Sequence, residues 1–192
     1  MTQPSASNHS SYKHAIVIGG SIAGLTTARI LSDHFELVTI IERDEPSRAD
    51  EFRKGVPQAR HPHALLARCQ QILEELFPGI VKELIAAGGI PANFGKDFAL
   101  FISGSWCQSF DSTIMTTMCS RPLLETTLYR RMTHMPHIRF LHGQEVIGVI
   151  TDENKQHATG IQLRERRNPT ATPVDMAADL IVDASGRESR AP

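Results

Sequence analysis

The sequence predicts an α/β fold that begins with a parallel sheet crossed by a helix. The short β-branched run Ala15–Ile18 ends at a pair of glycines, which is typical of a strand buried on both faces. The segment Ile22–Leu31 is small and apolar, as a helix packed on a sheet requires, and the run Leu37–Ile41 predicts the second strand. Strand, turn, helix and strand fit within about 30 residues, the size of a βαβ unit.

The composition is that of an ordinary globular protein. Its 192 residues are 41% hydrophobic and 21% charged, with a formal net charge of −1. This balance argues against a nucleic-acid partner, and no apolar run approaches the about 20 residues that cross a bilayer. The polar start has no secretory signal, so residues 1–12 are expected to be a disordered lead-in. We expect a soluble cytoplasmic protein without stable membrane insertion.

Cysteine and histidine spacing gives no framework of disulfides or metal ligands. Cys69, Cys107 and Cys119 are odd in number and include no Cys-x-x-Cys pair, which favours a reducing compartment and small buried thiols. His61 and His63 stand upstream of Cys69, but no second cysteine lies at ligand spacing. A zinc site is therefore a weak alternative to a loop that precedes a helix.

The middle of the chain predicts helices around a less regular strand region. A long polar loop is expected over Asp44–Gln58, followed by an amphipathic helix with one buried stripe over Leu65–Phe77. A shorter helix is expected over Ile80–Ala87, and one or two strands within Phe98–Phe110. Proline at a first helical position predicts another helix over Pro122–Met132.

The last third of the chain predicts a meander and one more buried strand. Strands are expected over Ile138–Leu141, Glu145–Thr151 and Thr159–Arg164, and a polar turn joins the last two. The run Leu180–Val182 predicts a buried strand that leads directly into Asp183.

The turn Gly19-Gly20-Ser21-Ile22-Ala23-Gly24 stands where dinucleotide-binding folds carry G-x-G-x-x-G. The first glycine permits a tight turn, the second position brings the backbone to a pyrophosphate, and the third lets helix and strand pack closely. A helix N-terminus also favours the anion. Ser21 replaces the second glycine; it can donate a hydrogen bond, but its side chain fills space that glycine leaves open. A turn that only connects two elements is the alternative.

Glu42 ends the second predicted strand, 18 residues after Gly24. This is close to the about 20-residue spacing of the acid that binds an adenosine ribose. Its carboxylate would repel a 2′-phosphate, so the pocket suits FAD or NAD rather than NADP. Taken alone, Glu42 also fits an ordinary surface charge at a strand end.

Arg121 precedes Pro122 and would place a cation at the positive end of a helix dipole. A bound phosphate would compensate for this arrangement, so we assign Arg121 to the cofactor, with a solvated surface arginine as the alternative. Arg60 and His61 are interpreted as donors from the loop near the cofactor, against a plain loop before a helix.

Five stretches resemble the FAD-dependent monooxygenases related to p-hydroxybenzoate hydroxylase. They are spread over nearly the whole chain: Ile16–Leu25, Ile41–Asp44, Gly55–His63, Ser120–Glu125 and Leu180–Arg187. The last stretch is similar to the family's second FAD motif and assigns Asp183 to the cofactor. Arg43 and Val146 are also counted among the cofactor-binding residues. Ser21 departs from the family pattern, as does Glu188, where relatives carry a small residue.

The resemblance implies an α/β fold of the Rossmann type, with a parallel FAD/NAD(P)-binding sheet, a β-meander and a largely absent substrate domain. Residues 13–192 would form the FAD-binding domain, with 90–118 as a partial substrate-domain insertion. The implied activity is NADPH- or NADH- and O2-dependent hydroxylation or epoxidation of a small aromatic, polyketide-like or terpenoid-like molecule. The cofactor performs this chemistry, so no catalytic side chain is assigned. We expect an amino-terminal fragment that does not hydroxylate by itself.

Two alternatives remain open. An NAD-dependent dehydrogenase would use the same turn, and it predicts a helix and a third strand soon after Glu42, where the sequence instead has the Arg-rich segment Arg43–Arg60. The other alternative is a non-catalytic nucleotide-binding module or an inactive remnant.

Overall fold

The computed structural model describes residues 12–45, 62–186 and 189. They fall into two compact units, the first made of Met1–Glu45 with Met132–Pro192, and the second of Pro46–Arg131. Most of the predicted lead-in and of the loop after Asp44 lies outside the described residues. The extent of the predicted FAD-binding domain, with its insertion at 90–118, stays a prediction.

The described elements include helices and runs of consecutive strands. In chain order they are β1 (Tyr12–Ile18), α1 (Ile22–Leu31), β2 (Phe35–Glu42), β3 (Pro62–Leu65), α2 (Ala67–Leu76), α3 (Ile80–Ala86), β4 (Ile90–Asn93), β5 (Phe101–Ile102), β6 (Ser105–Trp106), β7 (Met115–Ser120), α4 (Arg121–Thr133), β8 (Ile138–His142), β9 (Gln144–Thr151), β10 (Ala158–Glu165), β11 (Val174–Ala177) and β12 (Leu180–Asp183). No helix in these described stretches is long and apolar enough to cross a membrane.

The first unit is built on a four-stranded parallel sheet in the order β12-β1-β2-β8. Ala15, Ile16 and Val17 are completely buried, so the prediction of a first strand covered on both faces is confirmed. The helix α1 has the predicted bounds, whereas β1 and β2 extend beyond the predicted apolar runs because strand pairing also recruits polar flanking residues.

Different layers cover the two faces of the parallel sheet. Along β1, Val17 points toward α1, where it lies 3.5 Å from the position of a Cβ built on Gly24. Ile16 points to the other face, as alternation along a strand requires, and packs with Ile161 and Leu163 of the meander. The core of this unit is therefore a sheet held between a helix and a second sheet.

The predicted meander is confirmed and has one more strand than expected. Its strands pair antiparallel in the order β11-β10-β9. The turn between β9 and β10 is organised by Asp152, whose Oδ1 accepts the N–H of Gln156 at 2.8 Å. The strand β11 was not predicted: it has only four residues, too few for its sequence pattern to mark it, and three of them are exposed.

The second unit contains an antiparallel sheet in the order β3-β7-β4, with α2, α3 and α4. The helices α3 and α4 were predicted, although α4 begins at Arg121, one residue before Pro122. The prediction of a helix from Leu65 was wrong, since Leu65 pairs with Thr117 in a strand and α2 begins at Ala67.

The expected buried stripe of α2 and the expected burial of the cysteines are only partly correct. Leu73 and Phe77 are buried, but Leu66 is 56% exposed and Ile72 is 39% exposed. All three cysteines, each within the described stretches, are free thiols, and two of them, Cys69 and Cys107, are exposed rather than buried. Burial raises the pKa of the Cys119 thiol, which keeps it protonated near neutral pH.

Candidate functional site

The glycine turn begins where three parallel strands end. Gly19 donates its N–H to the carbonyl of Ile41 at 2.8 Å, and the N–H of Ala184 bonds to the carbonyl of Ile18 at 2.8 Å. Gly19 has a φ of +103°, and a Cβ at this position would lie 2.6 Å from the carbonyl oxygen of Ala184. Only glycine fits this position, in both space and backbone conformation.

Gly24 brings α1 directly against the end of β1. A Cβ on Gly24 would stand 1.8 Å from the carbonyl oxygen of Gly19, a distance at which two heavy atoms cannot coexist. The third glycine of the turn thus fulfils the packing role that the motif predicts for it.

Ser21 is compatible with the backbone that the motif requires. Its φ of −86° and ψ of −174° are extended and open to any residue, so the departure from glycine introduces no strain here. The Ser21 side chain makes no capping hydrogen bond to the helix, and no acidic residue stands in the first turn. Since α1 begins at Ile22, the N–H groups of Ile22, Ala23 and Gly24 have no carbonyl acceptor within the helix. These donors form a suitable cradle for a phosphate.

Glu42 is a buried carboxylate bonded to the same turn. It is only 7% exposed, and its Oε2 accepts the N–H of Gly20 at 2.8 Å. Its Oε1 accepts the N–H of Asp44 at 2.9 Å. The alternative of a solvated surface charge does not describe this side chain. The structure therefore brings together the turn and the acid that sequence spacing had paired.

Asp183 is the last residue of β12, at the same edge of the parallel sheet. Its Oδ1 accepts both the N–H of Ser185 at 2.8 Å and the Ser185 hydroxyl, and its Oδ2 accepts the hydroxyl of Ser189 at 2.7 Å. Ligands of open α/β sheets bind outside the carboxyl ends of the strands, which is where Gly19, Glu42 and Asp183 all lie.

Arg43 and Val146 also belong to the first unit. Arg43 is half-buried directly after β2, and its carbonyl accepts the Arg166 Nη1 at 3.5 Å. Val146 is half-buried on β9, pairs with Leu163 and packs against the apolar cluster that includes Ile16. The described contacts of Val146 are therefore those of a core residue.

Arg121 belongs to the second unit and has a carboxylate partner in its own helix. Its Nε donates to Glu125 Oε1 at 2.9 Å, with side chains only 16% and 11% exposed. The helix is capped by Ser120, whose Oγ accepts the N–H of Leu123 at 3.2 Å. The sequence argument required an external anion near Arg121, but Glu125 already supplies the negative charge. Its assignment to the cofactor therefore depends on the family resemblance alone.

The loop donors Arg60 and His61 lie outside the described residues. Within the described stretches, no group of three or more His, Cys, Asp or Glu side chains could hold a metal ion. Sequence reasoning also missed the residues that surround Asp44, namely His142 and Arg166. No spacing rule joins these positions, and the only local signal was the basic run at the end of β10.

The chain was compared with protein families, with known sequences and with solved structures. No protein-family model matches the chain. Protein Rv3254 of Mycobacterium tuberculosis is 36% identical over 195 residues, which cover 93% of this chain and 39% of that protein. The chain thus spans about two fifths of the length of this relative.

Solved structures extend the comparison. The p-nitrophenol 4-monooxygenase PnpA from Pseudomonas putida DLL-E4 matches with a TM-score of 0.68 at 14% identity, over 94% of this chain and 42% of that enzyme. PqsL from Pseudomonas aeruginosa, a probable FAD-dependent monooxygenase, matches with a TM-score of 0.59 at 15% identity, over 80% of this chain and 39% of PqsL. The chain shares its fold with about two fifths of each of these two proteins, and the predicted α/β fold class is confirmed.

Proposed function

We propose that this chain binds the ADP half of FAD as the cofactor-binding part of a monooxygenase-type oxidoreductase. The observation that carries the proposal is the buried Glu42 carboxylate, bonded at 2.8 Å to the N–H of Gly20 beside the N-terminus of α1. A buried carboxylate beside a row of helix N–H donors suits a ligand that has ribose hydroxyls next to a pyrophosphate.

The turn and Glu42 would bind different parts of the ligand. The N–H groups of Ile22, Ala23 and Gly24 would bind the pyrophosphate, and the closeness of Gly24 to Gly19 holds them at the sheet edge. Each Glu42 oxygen accepts a backbone N–H, and a carboxylate oxygen can accept more than one hydrogen bond, which would include one from a ribose hydroxyl. The same charge would repel a 2′-phosphate, which FAD lacks.

The remaining assigned residues extend this proposal. Asp183 would bind along the sheet edge, next to the turn, and Arg43 would act from the end of β2. Val146, Arg121, Arg60 and His61 stay predictions from the sequence, without a contact that tests them.

When bound, FAD would accept electrons from NADPH or NADH and support O2-dependent hydroxylation or epoxidation. The residues described here hold the ADP half and are not assigned a catalytic step. In the whole protein we expect a small aromatic, polyketide-like or terpenoid-like substrate.

Calorimetry with the full chain tests the binding proposal. We expect FAD, ADP and NAD to compete for one site, because they share the adenosine half, and FMN to be a poor ligand because it lacks ADP. NADP should bind more weakly than NAD. Failure of FAD, ADP and NAD to bind a folded sample would remove the cofactor assignment.

A variant of Glu42 makes the test specific. Glu42→Gln keeps the shape but removes the charge, and should weaken ADP binding by about tenfold or more, because hydrogen bonds to a charged group contribute ~1.5–3 kcal/mol. Glu145→Gln is the matched control, since Glu145 pairs with Arg164 on the meander and does not contact the turn. Equal ADP affinity in the two variants would contradict the role of Glu42.

The dehydrogenase alternative gains no support from the described chain. The strand beside β2 in the parallel sheet is β8, which begins only at Ile138, and the first described element after Glu42 is the antiparallel strand β3. A non-catalytic binding module would use the same turn, and is distinguished by FAD binding without any oxidation of NADH or NADPH.

A further inference from the structure

Asp44 bonds to the Glu42 carboxylate through its backbone, directly after β2. Its N–H donates to Glu42 Oε1 at 2.9 Å, opposite the bond from Gly20 to Oε2. The two donors fix both oxygens of the carboxylate. The position of the Asp44 backbone therefore sets the orientation that Glu42 presents to a ligand.

Asp44 is itself held by a residue far away in the sequence. The Arg166 guanidinium forms an ion pair with the Asp44 carboxylate, and the same Nη1 donates to the carbonyl of Arg43 at 3.5 Å. Arg166 is anchored in turn, since its own N–H donates to the carbonyl of Gly143 at 2.9 Å. Arg166, directly after β10, thus connects the meander to the end of β2.

A second side chain, His142, secures Asp44 from β8. Its Nδ1 lies 3.3 Å from the carbonyl oxygen of Asp44, and must donate in this contact because a carbonyl only accepts. The N–H, the carbonyl and the carboxylate of Asp44 each have a partner, so this residue has little freedom to move independently of its neighbours.

We propose that Asp44 and Arg166 are positioning residues, which hold the Glu42 carboxylate in the orientation that recognises the adenosine ribose. The inference rests on the function proposed above and deepens it, because it names the contacts that set ribose specificity. Neither residue needs to touch the ligand: Arg166 acts on Asp44, and Asp44 acts on Glu42.

The readout is the preference for ADP over 2′-deoxy-ADP, which differ only in a ribose hydroxyl. Arg166→Ala should reduce this preference by about twofold to tenfold, the range that one hydrogen bond contributes. It should change the affinity for 2′-deoxy-ADP much less, since that ligand lacks the hydroxyl. General damage to the fold would instead lower the affinity for both ligands by the same factor.

Two further variants separate positioning from charge. Arg167→Ala removes the same charge one residue away, where Arg167 lies 3.7 Å from Glu45 and is 77% exposed. It should leave the preference unchanged. The double reversal Asp44→Arg with Arg166→Asp should restore part of the preference that Arg166→Ala loses, because the ion pair is rebuilt with opposite polarity.

The outcomes distinguish the inference from the proposed function. If the natural chain does not bind ADP, both fail. If it binds ADP and prefers it to 2′-deoxy-ADP, but Arg166→Ala keeps the full preference, the positioning role is wrong while the proposed function stands. An equal loss in Arg167→Ala would also overturn it, since the effect would then be one of net charge.

Discussion

The segment from β1 to β2 and the excursion between β4 and β7 are stabilised in opposite ways. The first buries most of its apolar strand residues, and a Cβ at Gly19 or Gly24 would overlap backbone atoms. The second exposes a set of large apolar side chains, each at least 36% accessible: Leu100, Phe101, Ile102, Trp106, Phe110 and Ile114.

Hydrogen bonds, rather than burial of apolar side chains, hold together the excursion, residues 94–114. The Asn93 amide ties its two ends together: Nδ2 donates to Asp111 Oδ1 at 2.8 Å, and Oδ1 accepts the N–H groups of Gly95 and Ser112, each at 3.1 Å. Packing therefore fixes the first region. The bonds of Asn93 to Gly95, Asp111 and Ser112, which we call the neck, fix the second. Substitutions should therefore act differently in the two regions.

The largest effect is expected from Gly24→Val. The new side chain would collide with the carbonyl of Gly19, where even a Cβ would stand at 1.8 Å, and would separate α1 from β1. We expect a loss of more than ~3 kcal/mol of unfolding free energy and no ADP binding. Gly148→Ala is the control, since its Cβ would meet only Gln162 at 3.4 Å. Denaturant unfolding and calorimetry measure both, and an equally stable Gly24→Val would contradict the packing argument.

A smaller effect is expected at the neck of the excursion. Asn93→Ala removes several bonds at once and leaves backbone groups of the neck without their partner, which should cost about 1–3 kcal/mol. Limited proteolysis should cut within residues 94–112 earlier than in the natural chain. Asn168→Ala on the meander serves as the control, and equal cleavage rates would show that the neck does not depend on Asn93.

A pH effect should distinguish the second unit further. Burial alone would raise the pKa of Glu83, but hydrogen bonds from Arg130 and Arg131 lower it more, so the net pKa is below its ordinary value. Folding is therefore stabilised above the ordinary pKa of about 4.3, and this contribution is lost as the pH falls through the lowered value. Glu83→Gln should remove about 1 kcal/mol or less at neutral pH and flatten the acid side of the stability profile, measured by urea unfolding between about pH 3 and 7.

The smallest effect is expected in the paired strands β5 and β6, which we call the tip of the excursion. Trp106 is 69% exposed and contacts Phe101 edge to face, with ring centroids 5.2 Å apart. Trp106→Ala should change the free energy of unfolding by about 0.5 kcal/mol or less, because little apolar area is lost from burial. Leu84→Ala in the buried core of the second unit should cost about 2–5 kcal/mol in the same assay. Equal losses would mean that the tip is packed after all.

Prediction from the sequence succeeded where the determining contacts are local. The bounds of α1 and the buried character of β1 follow from residues within one βαβ unit. Prediction failed at β7, the central strand of the antiparallel sheet β3-β7-β4. Its sequence, Met-Thr-Thr-Met-Cys-Ser, has no apolar alternation. This strand is formed by pairing with β3 and β4, and its buried Thr116 bonds to the carbonyl of Leu65 at 2.7 Å.

The sequence by itself determined the glycine turn and the acid that faces it. Spacing within one βαβ unit brings Gly20 and Glu42 together, because parallel strands end at the same edge of the sheet. Only the tertiary structure decided how that acid is held, since Arg166 meets Asp44 across 122 residues of chain. The pairing of Arg121 with Glu125, by contrast, is local, since the two residues stand four positions apart in one helix. Ion pairs between segments far apart in the chain leave no periodic trace in a sequence, because each charge needs only one partner, wherever folding brings it.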